Sequence, residues 1–233
     1  MRLFDFNRAP NPRRARMFIA EKGLDIPRVN VNLYRMEQLS PQFLAINPDG
    51  TLPVLETDDG HYLTETVAIA HYLEQLHPEP PLMGRNPLAS AEVLRWNSIV
   101  EQQGMMAIAE TLRNWSPGFT NHVFPGPVEY AQMPELIERG TRRTHQFFDR
   151  IEQQLQASNY LAGDEYTFAD ISLLAMTDFA SWVEIKPHST RPALARWYSE
   201  VSARPGARGH SDLEDAPVRG GCDAGHAEDR VVD

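Results

Sequence analysis

Between Leu76 and Leu82 the chain reads His77-Pro78-Glu79-Pro80-Pro81, and the hydrophobic pattern differs on its two sides. Before this segment, short alternating apolar runs are interleaved with amphipathic stretches. After it, strand-like alternation is scarce and 3.6-residue periods dominate. A stiff, proline-dense connector separating two such patterns marks the junction of two units, each with its own core. With 233 residues the chain is long enough to bury both. The pattern predicts an α/β N-terminal domain over residues 1–80, a linker over 81–88, an all-α helical bundle over 89–205, and a disordered tail over 206–233, which is rich in Gly, Asp and Arg.

Leu3, Phe4 and Phe6 suit a short, partly buried strand. Asn11 is a good helix cap, and Pro12 suits a first helical position, where its missing N–H has no intrahelical acceptor. Ala15, Phe18 and Ile19 recur at helical spacing until Gly23. Val29, Val31 and Leu33 alternate with polar residues as in a strand with one buried face. A polar loop, Tyr34 to Ser40, leads to a short helix over Pro41 to Ile46. Asn47-Pro48-Asp49-Gly50 is a turn by composition, and Asp58-Asp59-Gly60 signals a hairpin between Leu52–Leu55 and Tyr62-Leu63. From Thr66 an amphipathic helix runs to Pro78. The order β-α-β-α-β-β-α implies a mixed four-stranded sheet, its first two strands parallel.

Beyond the connector, helical periods cover Ala89 to about Leu112, Pro134 to Gln156, Phe168 to Trp182 and Pro192 to Val201. Thr167-Phe168-Ala169-Asp170 is a capping box in which Asp170 reaches back to the Thr167 N–H. Capping, rather than acid catalysis, is the expected role of Asp170.

Composition excludes several functions. The formal net charge of −10 opposes a sequence-independent grip on nucleic acid. The basic run Arg13-Arg14-Ala15-Arg16 reads as the solvated face of a helix. One cysteine, Cys222, rules out a disulfide within the chain, and there is no Cys-x-x-Cys motif. No apolar run approaches the roughly 18–20 residues that span a bilayer, and the N-terminus lacks the apolar core of a secretory signal. A cytoplasmic protein without membrane contact is expected. His210, Cys222 and His226 lie in the expected tail, and no metal site is expected.

The chemistry concentrates in Asn47 to Leu73. A cis Leu52-Pro53 bond would turn the backbone of Leu52 outward to pair with an extended peptide; from these residues alone the trans form is expected. Glu65 and Thr66 open a helix, whose free N–H groups and Thr66 hydroxyl suit a carboxylate while Glu65 suits an ammonium. The same two residues also serve simply as a cap. A thiol set against the start of the first helix, near Arg8 to Asn11, would have its pKa lowered.

The segments APNPRRARMFIAEKG, PQFLAINPDGTLPVLETDDG, LTETVAIAHYLEQ and YLAGDEYTFADISL resemble those of cytosolic glutathione transferases, up to about Pro205. The resemblance implies a thioredoxin-like N-terminal domain, a helical C-terminal domain and a homodimer. It also implies a cis Pro53, Glu65 and Thr66 on the γ-glutamyl end of glutathione, Leu52 on the cysteinyl backbone, and Gln38, with Thr51 second, for the glycyl carboxylate. Family members commonly place Tyr, Ser or Cys after the first strand. Here the loop reads Asn7-Arg8-Ala9-Pro10-Asn11-Pro12, so the sequence is similar to bacterial and fungal branches that lack that residue. Asn11 becomes the candidate catalytic residue, through its amide and the backbone N–H groups just after it. Met105, Met106, Trp115 and Phe119 are candidates for an adaptable apolar wall around the electrophile. The implied function is conjugation of the glutathione thiolate to small hydrophobic electrophiles, with glutathione as co-substrate and no other cofactor. Glutathione-dependent disulfide reduction and a non-catalytic binding role are the alternatives.

Overall fold

The computed structural model describes residues 1–208. Four strands, β1 (Arg2–Asp5), β2 (Arg28–Asn30), β3 (Val54–Glu56) and β4 (Tyr62–Leu63), form one sheet in the order β2-β1-β3-β4. β1 and β2 are parallel and joined by α1 (Pro10–Glu21); β1–β3 and β3–β4 are antiparallel. The hairpin between β3 and β4 turns at Gly60, whose φ of +83° falls where glycine carries no steric cost.

The pleat sorts the sheet's side chains into two layers. Leu3 and Leu55 face each other in register and pack with Phe18 of α1 and with Ile69 and Leu73 of α3 (Thr66–Leu76). Phe4 and Val54, the next pair along, turn the other way onto Phe43 of α2 (Pro41–Leu44). β2 is shorter than the alternation of Val29, Val31 and Leu33 suggests. The side chain of Asn32 accepts from the N–H of Tyr34 at 3.0 Å and of Arg35 at 3.3 Å, ending the strand and starting a 3-10 turn at Leu33. A second such turn follows over Glu37–Leu39, so the expected polar loop is two tight turns.

The connector is fastened to its surroundings. Lys22, the C-cap of α1, donates to the carbonyl of His77 at 2.7 Å and pairs with Glu74, while the Leu82 carbonyl accepts from the Phe168 N–H at 2.9 Å. Leu82 and Met83 are buried. α4 (Pro87–Ile99) passes through a π-helical segment, Val100–Met105, into α5 (Met106–Trp115). α6 (Glu135–Ala157), α7 (Phe168–Phe179), α8 (Pro192–Val201) and α9 (Pro205–Arg208) complete the bundle. α7 is buried along nearly its whole length and lies against α1, where the rings of Phe18 and Phe168 meet edge to face at 5.7 Å. One hydrophobic core therefore runs through both domains.

Two expectations are corrected. Arg13, Arg14 and Arg16 are not a solvated face: they are 6%, 2% and 4% exposed and pair with Asp178, Glu101 and Asp5. The fold also continues past residue 206, where Gly206 packs on Met17 and Glu21 of α1 and Ala207 is buried. The rest of the expected tail, with His210, Cys222 and His226, lies outside the described residues.

Candidate active site

α1 begins earlier than Asn11. Ala9 is the N-cap and Pro10, with φ set by its ring, takes the first helical position. Asn11 thus stands inside the first turn, and its side chain makes no cap. The N–H of Arg13 is spent on the Ala9 carbonyl at 3.2 Å, and that of Ala9 on the Phe6 carbonyl at 3.1 Å. Pro10 and Pro12 have none, so the expected row of free donors after Asn11 reduces to a single backbone N–H, that of Asn11 itself. The Asn11 side-chain oxygen accepts from Nη1 of Arg14 at 3.0 Å.

Glu65, just before α3, has φ 62° and ψ 120°, backbone that residues other than glycine rarely adopt. Its carboxylate caps nothing and is exposed. Thr66 behind it is buried, and the Thr66, Val67 and Ala68 N–H groups precede the first intrahelical bond, from Ile69 N–H to the Glu65 carbonyl at 3.0 Å. The Glu65 carboxylate makes no cap hydrogen bond, stands on strained backbone at a helix start, and acts electrostatically on buried Arg14.

Beside it, the Leu52-Pro53 peptide is cis, which corrects the trans form expected from the residues alone and agrees with what the family resemblance implies. Among the described residues neither the N–H nor the C=O of Leu52 has a hydrogen-bond partner. The loop before it is held by buried Asn47, whose Nδ2 donates to the carbonyl and to the hydroxyl of Thr51, both at 2.9 Å. The Thr51 hydroxyl hydrogen remains available. Gln38 turns its amide nitrogen to the Met36 sulfur at 3.6 Å and leaves its oxygen buried without a partner. A carboxylate there would require the opposite face of that amide.

A small hollow of about 10 Å³ opens at the start of α1, lined by Arg8, Pro10, Arg13, Ala175, Phe179 and Trp182. The Phe179 and Trp182 rings stand edge to face at 5.3 Å. Arg13 donates to Asp178 at 2.5 Å, while its Nε is buried without a partner. The four residues expected to form the electrophile wall do not line this hollow. Met105 and Phe119 pack against the hydrophobic core, whereas Met106 and Trp115 are about half exposed.

Residues 3–81 match the N-terminal domain of glutathione S-transferases and residues 117–205 the C-terminal domain. Glutathione S-transferase 2 of Saccharomyces cerevisiae is 32% identical over 214 residues, covering 89% of this chain and 88% of the relative. The chain belongs to the glutathione S-transferase family. Solved structures agree: Gtt2 from Saccharomyces cerevisiae superposes with a TM-score of 0.82 at 31% identity, covering 90% of this chain and all of that one. A glutathione S-transferase domain-containing protein from Marinobacter aquaeolei gives 0.81 at 30%, covering 89% of this chain and all of that one.

Within this glutathione S-transferase fold, sequence reasoning missed Arg14, Asn97, Glu101 and Ser172, which lie together behind Asn11. A basic run carries no mark of burial, and the acceptors come from distant helices. Asn47, at the head of the NPDG turn, was a detectable omission, since Asn commonly bonds backbone two to four residues on. Among the described residues no cluster suited to a metal ion is present, and no helix is long and apolar enough to cross a membrane.

Proposed function

We propose that the chain binds glutathione, holds it as the thiolate and adds it to small apolar electrophiles. The observation that carries this reading is Glu65, whose exposed carboxylate and strained backbone stand at the free N–H groups of α3. A carboxylate acceptor for an ammonium, set beside donors for a carboxylate, fits the α-amino-acid end of the γ-glutamyl group. The unpaired N–H and C=O of Leu52 next to cis Pro53 fit the cysteinyl backbone as a strand partner would. Thr51 and a turned Gln38 would serve the glycyl carboxylate.

Such a tripeptide, running from α3 past Leu52, brings its thiol toward α1. There the Asn11 amide and N–H are the donors that stabilise the thiolate, and Asn11 is the catalytic residue on this reading. The chemical step is attack of the thiolate sulfur on the electrophilic carbon: in a substitution the C–S bond forms as the leaving group departs with its electron pair, and in an addition the resulting carbanion takes a proton from water. The protein contributes alignment and thiolate fraction. We place the electrophile at the mouth of the hollow, against Phe179 and Trp182, in preference to Met105, Met106, Trp115 and Phe119. Cytoplasmic residence, where glutathione is abundant, and a homodimer complete the reading.

Retention on immobilised glutathione followed by turnover of a chromogenic aryl halide tests the proposal. Binding with halide turnover supports it. Binding with turnover of hydroxyethyl disulfide alone transfers the assignment to disulfide reduction, and no binding by the folded protein removes both enzymatic readings.

A further inference from the structure

Beneath the start of α1 lies the guanidinium of Arg14, 2% exposed. Its donors are distributed over both domains. Nε reaches the Ser172 hydroxyl at 2.9 Å, and Nη2 reaches Asn97 Oδ1 at 2.8 Å and Glu101 Oε1 at 2.6 Å. Ser172 in turn donates to Asn97 at 2.7 Å, and the Phe168 ring lies 5.2 Å from the guanidinium carbon. Every one of these hydrogen-bond and ring partners belongs to the helical domain (α4, the π-helical segment and α7), while from the N-terminal domain the Glu65 carboxylate also favours the guanidinium charge. The remaining donor, Nη1, points back to the side-chain oxygen of Asn11 at 3.0 Å.

An asparagine amide has one accepting end and one donating end, whereas a guanidinium can only donate. Arg14 therefore selects which end of Asn11 faces inward. With Oδ1 claimed by Nη1, the NH₂ group is turned away from Arg14, and it has no partner among the described residues. Reversed, the amide would aim two donors at Arg14 and an acceptor at any sulfur beside α1, which would repel a thiolate. The Glu101 carboxylate meets the buried charge and lies in the π-helical Val100–Met105, a local widening of the helix of a kind that recurs at functional sites.

The geometry points to Arg14 as a positioning residue that fixes the polarity of the Asn11 amide toward the glutathione thiol, with Glu101 and Asn97 holding its fork from the helical domain. This inference rests on the reading of Asn11 given above. It makes the thiol's acidity depend on the docking of the helical domain, through one side chain that never touches the ligand.

The test is a titration of the glutathione thiol bound to the protein, followed by thiolate absorbance, in N11A, R14K, E101Q and the two double variants with N11A. Lysine keeps the charge but cannot reproduce a planar fork to four acceptors. Arg14→Lys is expected to raise the bound thiol's pKa by about one unit, close to the shift from Asn11→Ala. kcat at neutral pH should fall about tenfold, with less than a twofold change in KM for glutathione. Glu101→Gln should shift the pKa the same way by less, and serves as the probe if R14K does not fold. Neither change should add to N11A. An N11A shift that folded R14K or E101Q does not reproduce, or effects that add to it, overturn the inference alone. An unchanged thiol pKa in N11A overturns the role of Asn11 and the inference with it, while leaving glutathione binding intact.

Discussion

The indole Nε1 of Trp197 donates to Oδ1 of Asp170 across 2.9 Å, tying α8 to the first turn of α7. The same carboxylate accepts from the N–H of Leu161 at 2.9 Å, and from the N–H and hydroxyl of Thr167 at 3.0 and 3.1 Å. The expected cap is thus also a junction of three chain segments. Asp170→Ala should cost about 3 kcal/mol or more, because it leaves several buried donors without an acceptor. Denaturant unfolding measures it; a loss under about 1 kcal/mol would reduce Asp170 to an ordinary cap.

The same group carries a pH dependence. Burial pushes the Asp170 carboxyl up to about 6, against an ordinary 3.8, despite the donors that favour its charged form. The folded state therefore binds this proton more readily than the unfolded chain. Its contribution is fully present below the unfolded value and is lost as pH rises through about 6. The stability difference between the protein and Asp170→Asn should be larger at pH 4.5 than at pH 7 by about 2 kcal/mol. A difference independent of pH would contradict the raised value.

Gly140 of α6 lies where a Cβ would meet the Thr111 hydroxyl at 2.5 Å and the backbone of Ala107 and Thr111 at 2.9 Å. Alanine favours an exposed helix by about 1 kcal/mol over glycine. Here the clash is with backbone of α5, which cannot swing aside, so Gly140→Ala should destabilise by roughly 1–3 kcal/mol. A rise in melting temperature would mean that the two helices separate without penalty.

For Glu65, replacement by Ala removes the carboxylate proposed to meet the ammonium of glutathione, which should then bind at least tenfold more weakly. Calorimetric titration of the folded variant gives the answer. Unchanged affinity would remove Glu65 from the site.

Trp182→Ala should raise KM for an aryl electrophile several-fold and leave KM for glutathione within twofold, since Trp182 lines the hollow at α1 rather than the peptide groove. Equal changes in both constants would argue for a structural effect.

Much of the architecture was readable locally because its causes are local. The turn glycine at residue 60, the capping box at Thr167 and the helical periods each need only neighbours within a few residues. The start of α1 was misread by two positions, since Asn11-Pro12 and Ala9-Pro10 both offer a proline for the first helical position. The first intrahelical bond, from the Arg13 N–H to the Ala9 carbonyl, settles the choice in favour of the earlier start.

By itself, the sequence determined the order of elements, the mixed sheet, the two domains' contrasting character and the stretch from Leu52 to Thr66 that carries the proposed glutathione contacts. Each is a property of short-range propensity and pattern. Only the tertiary structure decided that Arg13, Arg14 and Arg16 are interior, since their acceptors Asp178, Glu101 and Asp5 are brought up by other elements. It also decided what Asn11 meets: its side-chain oxygen accepts from a buried guanidinium that is held by helices far along the chain.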